Sequence, residues 1–354
     1  MKLVHQLPPG PNNGRNSEGS FIRLDDGRIL FAYSRYNTPS GHDHAACDIA
    51  AIYSSDEGET WTEPRLIAKA VDLDAANLMS VSCVRQLDGR VGVYFIIKEH
   101  GLTSTMGRAL TADGETFEVS RCVYKFPTNY YVINNDRLIR LPDGRLLCPA
   151  SRHAYGTGPD GGPACDGFAV SVVFVSEDDG ATWRLLPFRL TLSATRPGDV
   201  GMQEPGLFRF KDGTLWLWAR TAAGGQYESF SRDDLGSFTV PQPSVFTGPT
   251  SPLEVARNPA TDVIYAVYNP ISNYPGRPGT DPSWGRTPFV VRKSADEGRT
   301  WSNPVVIEDD PVRGYCYPAL FFTKDDALLL AYCRGANGGV LNPLGIAKIP
   351  LAEI

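Results

Sequence analysis

The sequence predicts an all-β protein, a six-bladed β-propeller of four-stranded antiparallel blades, on three observations. An eight-residue phrase recurs along the chain, a second phrase built on Asp-Gly alternates with it, and helical periodicity is nearly absent. The 35 glycines and 28 prolines suit short strands joined by turns. Because a closed array of repeats can hold many residues, we expect residues 1–354 to form one propeller domain.

The first phrase is complete at Ser54–Trp61, Ser176–Trp183 and Ser294–Trp301, with two worn copies at Thr111–Phe117 and Ser231–Phe238. Its chemistry is that of a tight turn between two strands. The Asp accepts backbone hydrogen bonds, the Gly takes a positive φ, and Thr-Trp begins the next strand with the ring under the turn. The copies are predicted to be outer hairpins of successive blades.

The second phrase marks six further hairpins, in which apolar strands meet at a turn. The turn aspartates are Asp26, Asp88, Asp143, Asp212, Asp262 and Asp325. Each turn is followed by a strand-like run such as residues 29–33. Six hairpins, five of them followed by the first phrase, predict six blades. The sixth blade lacks that phrase, so we expect a chain terminus to supply its outer strand.

Composition limits the classes of function. A net charge of −6 argues against a nucleic-acid surface, which needs a basic stripe. Neither a signal peptide nor a membrane span is apparent, and the seven scattered cysteines are interpreted as reduced. These features predict a cytoplasmic protein, or a secreted one if a leader has been removed. His42, His44 and His153 are too few and too poorly spaced for a metal site, and no cofactor is expected.

The hairpins also predict where a site lies. If the Asp-Gly turns mark one face of the propeller, residues about eight before and eight to ten after them lie at the other face. The residues before the turns are Glu18, Ser80, Asn135, Glu204, Glu254 and Tyr317. The residues after the turns are Arg35, Lys98, Arg152, Arg220, Asn269 and Arg334. Strand ends can be polar simply because they meet water, but the regularity of this set favours a pocket for a charged, hydroxyl-rich ligand.

The repeated first phrase is an Asp-box, and the whole chain resembles the sialidase (neuraminidase) superfamily of β-propellers. Glu204 and Arg220 match a Glu–Arg pair of that family about sixteen residues apart across an Asp-Gly turn. Arg286 matches an arginine one strand before an Asp-box, and Tyr317-Pro-Ala-Leu matches a tyrosine that opens the last inner strand. An acidic residue of the loop before the first Asp-box blade strand is matched by Asp43 or, slightly later, Asp48.

The resemblance implies an exo-acting retaining glycosidase for a terminal acidic sugar, sialic acid or a related one. It implies Tyr317 as nucleophile and Glu204 as its base, because a neutral phenol avoids the repulsion between a carboxylate nucleophile and a carboxylate substrate. Asp43, or Asp48 in its place, would protonate the leaving oxygen and later activate water. Arg220 and Arg286 would clamp the substrate carboxylate through charge-assisted hydrogen bonds.

One position departs from the family pattern. Where the family carries the first of three clamp arginines, this chain has Glu18. Arg15, Arg35 or Arg152 could take the place of that arginine, because all three are expected at the same face. Alternatively, Glu18 is a functional group in its own right, or an ion-pair partner for Arg35.

Three functions therefore remain open. The first is a hydrolase of sialic acid or a related acidic sugar. The second is a propeller hydrolase or lyase adapted to another glycan, which the missing clamp arginine favours. The third is a propeller that binds glycans without catalysis, which would not need a Tyr–carboxylate pair. All three predict a carbohydrate ligand, with no nucleic acid and no membrane as partner.

Overall fold

The computed structural model of the protein describes residues 1–100, 102–157, 163–193, 199–272 and 282–354. In these residues six β-sheets form a six-bladed propeller, which confirms the predicted fold class. Two short 3-10 helices, Ala70–Leu73 and Leu351–Glu353, accompany the strands. Over the same ranges, no helix has the length and apolar character needed to cross a membrane.

The chain begins with β1 (Lys2–Leu7), which belongs to the last blade. The later strands run from the inside of each blade outward. Blade 1 holds β2 (Asn16–Arg23), β3 (Ile29–Tyr36), β4 (Cys47–Ser54) and β5 (Arg65–Ala68). Blade 2 holds β6 (Asn77–Arg85), β7 (Val91–Lys98), β8 (Ser104–Thr111) and β9 (Glu118–Arg121).

Blade 3 departs from the four-stranded plan at both edges. Its strands are β10 (Val123–Tyr124), β11 (Tyr130–Val132), β12 (Ile139–Arg140), β13 (Leu146–Thr157), β14 (Pro163–Ser176) and β15 (Thr182–Leu185). The inner strand is split, since β11 and β12 pair with different parts of β13. At the outer edge, β10 adds to β15 in parallel.

The last three blades return to the four-stranded plan. Blade 4 holds β16 (Gln203–Arg209), β17 (Leu215–Arg220), β18 (Gly225–Ser231) and β19 (Gln242–Thr247). Blade 5 holds β20 (Glu254–Arg257), β21 (Ile264–Tyr268), β22 (Phe289–Ser294) and β23 (Val305–Glu308). Blade 6 holds β24 (Cys316–Phe322), β25 (Ala327–Cys333) and β26 (Leu344–Pro350). Strand β1 pairs with β26, so the N-terminal strand closes blade 6, as the missing sixth Asp-box predicts.

The core is a ring of six apolar layers, one at each junction between neighbouring blades. Along β3, Leu30 and Ala32 pack toward blade 2, whereas Ile29, Phe31 and Tyr33 pack toward blade 6. Successive side chains of a strand point to opposite faces, so both faces of this strand are apolar. The sequence of a strand in such a ring is therefore a continuous run of apolar residues.

The Asp-boxes form the turns between the third and fourth strands of blades 1 to 5, far from the axis, as predicted. In blade 1, the Asp56 carboxylate accepts hydrogen bonds from the backbone N–H of Thr60 at 2.9 Å and from its hydroxyl at 2.5 Å. The Trp61 indole N–H donates to the carbonyl of the turn glycine at 3.1 Å. Blade 3 repeats these contacts, and Trp61, Trp183 and Trp301 follow equivalent turns in three blades.

The inner strand of blade 3 is interrupted between β11 and β12, and polar side chains from this interruption reach across the propeller axis. Asn135 donates to two backbone carbonyls of blade 6. Asp136 accepts a hydrogen bond from the Ser20 hydroxyl of blade 1 at 2.6 Å. Arg137 forms a buried ion pair with Glu254 of blade 5. These contacts tie four blades together on the axis, and they give Asn135 and Glu254 structural partners.

Replacing Asp136 by Asn is expected to remove part of the pH dependence of stability. Burial raises the pKa of Asp136 from 3.8 to about 6, so between these values the folded protein keeps a proton that the unfolded chain has released. The free energy of unfolding should therefore fall by about 2 kcal/mol as the pH rises through this window, and Asp136→Asn should lack that fall.

Denaturant unfolding at a series of pH values measures this effect. Asp88→Asn is the control, because the backbone N–H of Arg90 lowers the pKa of this exposed turn carboxyl. The control must keep the fall in stability. An Asp136→Asn protein that keeps the whole fall would show that Asp136 is not its source.

Candidate active site

A backbone bulge directs one side chain of the inner strand toward the centre in four blades. Glu18, Ser80, Glu204 and Tyr317 have φ values between 46° and 61°. The pairing register slips at the same places in blades 1, 2, 4 and 6. Residues other than glycine rarely adopt this left-handed backbone conformation. It persists only where the surrounding structure imposes it. Counting back from the Asp-Gly turns predicts all four residues, but not the bulge that exposes them.

The four side chains line one cavity of about 180 Å³. Among the described residues, the other side chains in its wall that are charged or can form hydrogen bonds are Asp43, Lys98, Tyr130, Asn134, His153, Cys165, Asp166, Gln203 and Arg220. This wall contains four carboxyl groups but only two side chains of the Lys or Arg type. The cavity thus combines acidic groups with a few cations, as expected for a site that binds a polar ligand.

The centre of the cavity is a contact between a phenol and a carboxylate. The Tyr317 hydroxyl donates to Oε1 of Glu204 at 3.0 Å. Nη1 of Arg220 lies 2.9 Å from Oε2 of Glu204 and 3.4 Å from the Tyr317 hydroxyl. Burial, followed by the charge of Glu204, raises the pKa of Tyr317 well above its usual value. The phenol is therefore neutral at rest and lies beside a group that can accept its proton.

Arg286 approaches the same tyrosine from outside the cavity wall. The centre of its guanidinium lies 5.6 Å from the Tyr317 ring and 5.5 Å from the Trp284 ring. Its Nη1 donates to Sγ of Cys316 at 3.0 Å, and its Nη2 donates to the Thr250 carbonyl at 3.3 Å. Arg220 therefore contacts the Tyr317 hydroxyl, whereas Arg286 lies against the Tyr317 ring.

A second charged group lies opposite, around Arg15. Arg15 is 1% exposed and forms ion pairs with both Glu18 and Asp43. The Ser80 hydroxyl donates to the other oxygen of Glu18. Of the three arginines considered as substitutes for the missing clamp arginine, Arg15 is the one that reaches this part of the site, where it neutralises two carboxylates. The predicted ion pair between Glu18 and Arg35 is wrong, because Arg15 takes that place.

The two candidate aspartates, Asp43 and Asp48, lie in different surroundings. Asp43 lies in the cavity wall. Burial alone would raise its pKa, but the charges of Arg15 and Lys98 lower the pKa to about 2. Asp48 instead accepts hydrogen bonds from the Asn37 amide and the Ala70 backbone N–H, both at 2.8 Å, and does not line the cavity. Asp43 is therefore the one that can act on a ligand.

Three of the cations predicted by counting from the Asp-Gly turns do not line the cavity. Arg35 lies near Tyr33, on the face of β3 that packs toward blade 6. Arg152 lines a separate depression beside His153. Arg334 lies 3.3 Å from Glu308 in an ion pair. Counting along a strand locates the end of the strand. The face of the blade onto which a side chain points depends on the register, because a shift of one residue moves the side chain to the opposite face.

Two contacts around the site emerge only from the structure. Nζ of Lys98 donates to the Asp43 carbonyl at 2.7 Å and so holds the loop that carries this aspartate. The signal for Lys98 was its position after an Asp-Gly turn, among the predicted cations. Cys316 contacts Arg286, which is thirty residues away in sequence, and nothing in the sequence pattern signals that contact.

Two further features of the structure bear on what the site can hold. Across the described ranges, no group of three or more His, Cys, Asp or Glu side chains is arranged to hold a metal ion. A larger cavity of about 490 Å³ lies between blades 4 and 5, lined by the Asp-Gly turn of one blade and the Asp-box of the next. It is at the opposite strand ends from Tyr317. The phenol–carboxylate pair makes the smaller cavity the candidate active site.

Comparison with known proteins supports both family and fold. The family model described as a BNR repeat-like domain matches residues 37–330. The Hadza microbial sialidase Hz136 is 18% identical with a TM-score of 0.70, over 95% of this chain and 66% of that chain. The NanB sialidase from Streptococcus pneumoniae is 12% identical with a TM-score of 0.71, over 100% and 71%. A protein of unknown function from Dyadobacter fermentans is 15% identical with a TM-score of 0.71, over 99% of both chains.

A search of curated proteins finds no match for this chain. At identities of 12–18%, the structural likeness establishes a shared fold and leaves the reaction to be argued from the site. The predicted Asp-box propeller is confirmed, since the family model is that of a BNR repeat-like domain and the solved structures share the fold.

The buried pairing of Arg15 should be essential for stability. Arg15→Met leaves the buried Glu18 carboxylate without its cation, and we expect a loss of about 3–5 kcal/mol of unfolding free energy. Adding Glu18→Gln should recover part of that loss, because it removes the unpaired charge. Chemical denaturation measures both variants.

Arg65→Met is the matched control, since the ion pair of Arg65 with Glu115 is half-exposed on both sides. Its cost should be about 1 kcal/mol or less. A loss at Arg15 as small as that at Arg65, or a double variant no more stable than Arg15→Met, would contradict the pairing.

Proposed function

The chain belongs to the BNR repeat-like domain family, and from that premise we propose that it is a glycoside hydrolase that releases a terminal acidic sugar, sialic acid or a related one. The observation that carries the proposal is the 3.0 Å hydrogen bond from the Tyr317 hydroxyl to Glu204. A strained, buried tyrosine beside a carboxylate in a polar cavity is the arrangement that an activated phenol nucleophile requires.

In the proposed reaction, the Tyr317 oxygen attacks the anomeric carbon of the sugar while Glu204 accepts the phenol proton. The bond from that carbon to the glycosidic oxygen breaks, and the aglycone leaves with a proton from the acid discussed below. Because the pKa of Tyr317 is raised by burial, free phenolate is scarce, and transfer to a base already in contact lowers the barrier. Arg220, 3.4 Å from the phenol oxygen, stabilises the charge that develops there. Water then cleaves the sugar–tyrosine bond, which returns the proton to Tyr317 and retains the anomeric configuration.

The proposed binding group for the substrate carboxylate is the pair Arg220 and Arg286. Two guanidinium groups beside the nucleophile can hold a carboxylate through charge-assisted hydrogen bonds and so fix the anomeric carbon near the phenol. Both arginines already have partners in the protein, Glu204 and Cys316, so a ligand carboxylate must share them.

Two carboxyl groups compete for the role of proton donor to the leaving oxygen. Asp43 is the residue that the family resemblance implies, yet with a pKa of about 2 it is ionised before substrate binds. That state suits the second half of the reaction, in which a base must activate water. Burial raises the pKa of Glu18, so this carboxyl holds a proton more readily than Asp43 does. We keep Asp43 as the proposed acid–base and Glu18 as the alternative acid.

A second candidate function is hydrolysis or elimination on a glycan without the sialic acid carboxylate. The observation that favours it is Glu18 at the position of a clamp arginine, in a wall where carboxyl groups outnumber Lys and Arg side chains. Such a wall suits a sugar rich in hydroxyl donors. Assays on aryl glycosides of acidic and neutral sugars separate this candidate from the first.

Tyr317→Phe tests the nucleophile. It removes the attacking oxygen and keeps the ring, so kcat should fall by at least about a thousandfold while the dissociation constant of the free sugar stays within about threefold. Aryl glycosides report the rate, and calorimetry reports binding. Tyr130→Phe, at another tyrosine of the same cavity, is the control and should keep most of the activity. Near-normal turnover by Tyr317→Phe on a substrate of the wild type would eliminate the mechanism.

The proton donor is identified by comparing how much activity each variant loses on substrates with good and with poor leaving groups. An aryl group with a low pKa leaves without a proton, whereas a sugar hydroxyl requires one. Asp43→Asn should therefore lose about a hundredfold in kcat/KM on an oligosaccharide and far less on a nitrophenyl glycoside. Glu18→Gln is measured beside it. If Glu18→Gln shows this selective loss and Asp43→Asn loses both substrates equally, Glu18 is the acid.

A further inference from the structure

We propose that Cys316 carries a thiolate that pairs with the guanidinium of Arg286, so that a sulfur anion holds this arginine beside Tyr317. The contact joins Nη1 of Arg286 to Sγ of Cys316 at 3.0 Å. Sulfur is larger than oxygen, and hydrogen bonds to ionised acceptors are shorter than those to neutral ones. A separation this short therefore suits an ionised sulfur.

The first argument is the charge balance of Arg286. Its side chain is buried, and the residue is 8% exposed. Among the described residues, no carboxylate forms an ion pair with it; its contacts are the Cys316 sulfur, the Thr250 carbonyl and the rings of Trp284 and Tyr317. Burying a cation without an anion is costly, and of the two groups hydrogen-bonded to the guanidinium the sulfur is the one that can become an anion.

The second argument is the surroundings of the sulfur. Cys316 is 0% exposed and lies opposite Cys333 in the pairing of β24 with β25, and both are free thiols. The ionisable groups facing Cys316 are Arg286, Cys333 and, further off, Arg15. Burial raises the pKa of Cys316, but the hydrogen bond from Cys333 and the charge of Arg286 outweigh it and lower the pKa to about 7.

A comparison within the chain isolates the cause. Cys148 is also 0% exposed, but no Lys or Arg side chain contacts its sulfur among the described residues, and burial raises its pKa well above the usual value. The two sulfurs are equally buried, so the opposite directions of their pKa shifts come from their different partners, the Arg286 guanidinium and the Cys333 thiol beside Cys316.

The consequence for the site rests on the proposed function, whereas the thiolate itself does not. Cys316 immediately precedes Tyr317, on the strand whose bulge exposes the phenol. A thiolate there fixes the Arg286 guanidinium between the two rings, in the orientation proposed to meet a substrate carboxylate. Cys316 is thus a positioning residue, since it acts on a ligand only through Arg286.

Thiolate absorbance in the ultraviolet tests the proposal on the folded full-length protein. A titration of the wild type should show an absorbance step with a midpoint near pH 7. Cys316→Ser should lack this step, and Cys148→Ser, the matched buried control, should keep it. A step that persists in folded Cys316→Ser, or a wild type without one, overturns the proposal.

Two measurements on the wild type test the proposal even if Cys316→Ser does not fold. NMR of protein labelled at the cysteine Cβ should show one resonance that titrates near pH 7, and the absence of any such resonance overturns the proposal. Thiol counting in denaturant without reductant should find all seven cysteines free. A count of five, with Cys316 and Cys333 joined, would also overturn it.

Binding of free sialic acid tests the positioning role separately. The thiolate is present above its pKa, so affinity of the wild type should decline as the pH falls below about 7. Cys316→Ser should bind about tenfold more weakly and lack this decline, and Cys148→Ser should match the wild type. If the wild type shows the thiolate but does not bind sialic acid, the proposed function fails and the ion pair stands. If the wild type binds and Cys316→Ser binds equally with the same decline, the positioning role is wrong.

Discussion

Each blade buries both faces against its neighbours, and this constraint decides where a site can form. Side chains that alternate along a central strand all enter an apolar layer, as Leu30 and Phe31 do on the two sides of β3. A polar side chain on an inner strand can avoid these layers only by turning toward the axis. The left-handed bulges at Glu18, Ser80, Glu204 and Tyr317 provide that turn. The strain of the site is therefore a direct consequence of the packing of the ring.

Charge balance is the second organising feature. Each arginine of the site has a partner within the protein: Arg15 pairs with Glu18 and Asp43, Arg220 with Glu204, and Arg286 contacts the Cys316 sulfur. Among the described residues, each of these guanidinium groups therefore has an acceptor before a ligand binds. The binding free energy of an anionic ligand is then the difference between the contacts that it makes with these arginines and the protein contacts that it weakens. The geometry of the ligand therefore matters more than its charge.

The sequence predicts the repeated parts of the structure and fails where the repeat is broken. Asp-Gly turns and Asp-boxes set the number of blades and the closure of blade 6 by β1, because turn chemistry is local. Counting from the turns finds Glu204 and Tyr317, which share one place in the repeat. It misplaces Asn135, whose blade has a split inner strand, and Arg152, whose side chain lines another depression. Contacts such as that between Arg286 and Cys316 depend on tertiary packing and have no local signal.

Glu18 and Asp43 share a single cation, and this sharing gives the two carboxyl groups different chemistry. Glu18 is buried, so burial raises its pKa despite Arg15 and Ser80. Desolvation also raises the pKa of Asp43, but its side chain is 55% exposed, and the charges of Arg15 and Lys98 outweigh the desolvation and lower the pKa to about 2. Because the groups also repel each other, ionisation of one favours protonation of the other. Two carboxyl groups whose environments drive their pKa values apart are suited to donating a proton and activating water in turn. Glu18 therefore adds a second titratable carboxyl group to the site beside Asp43.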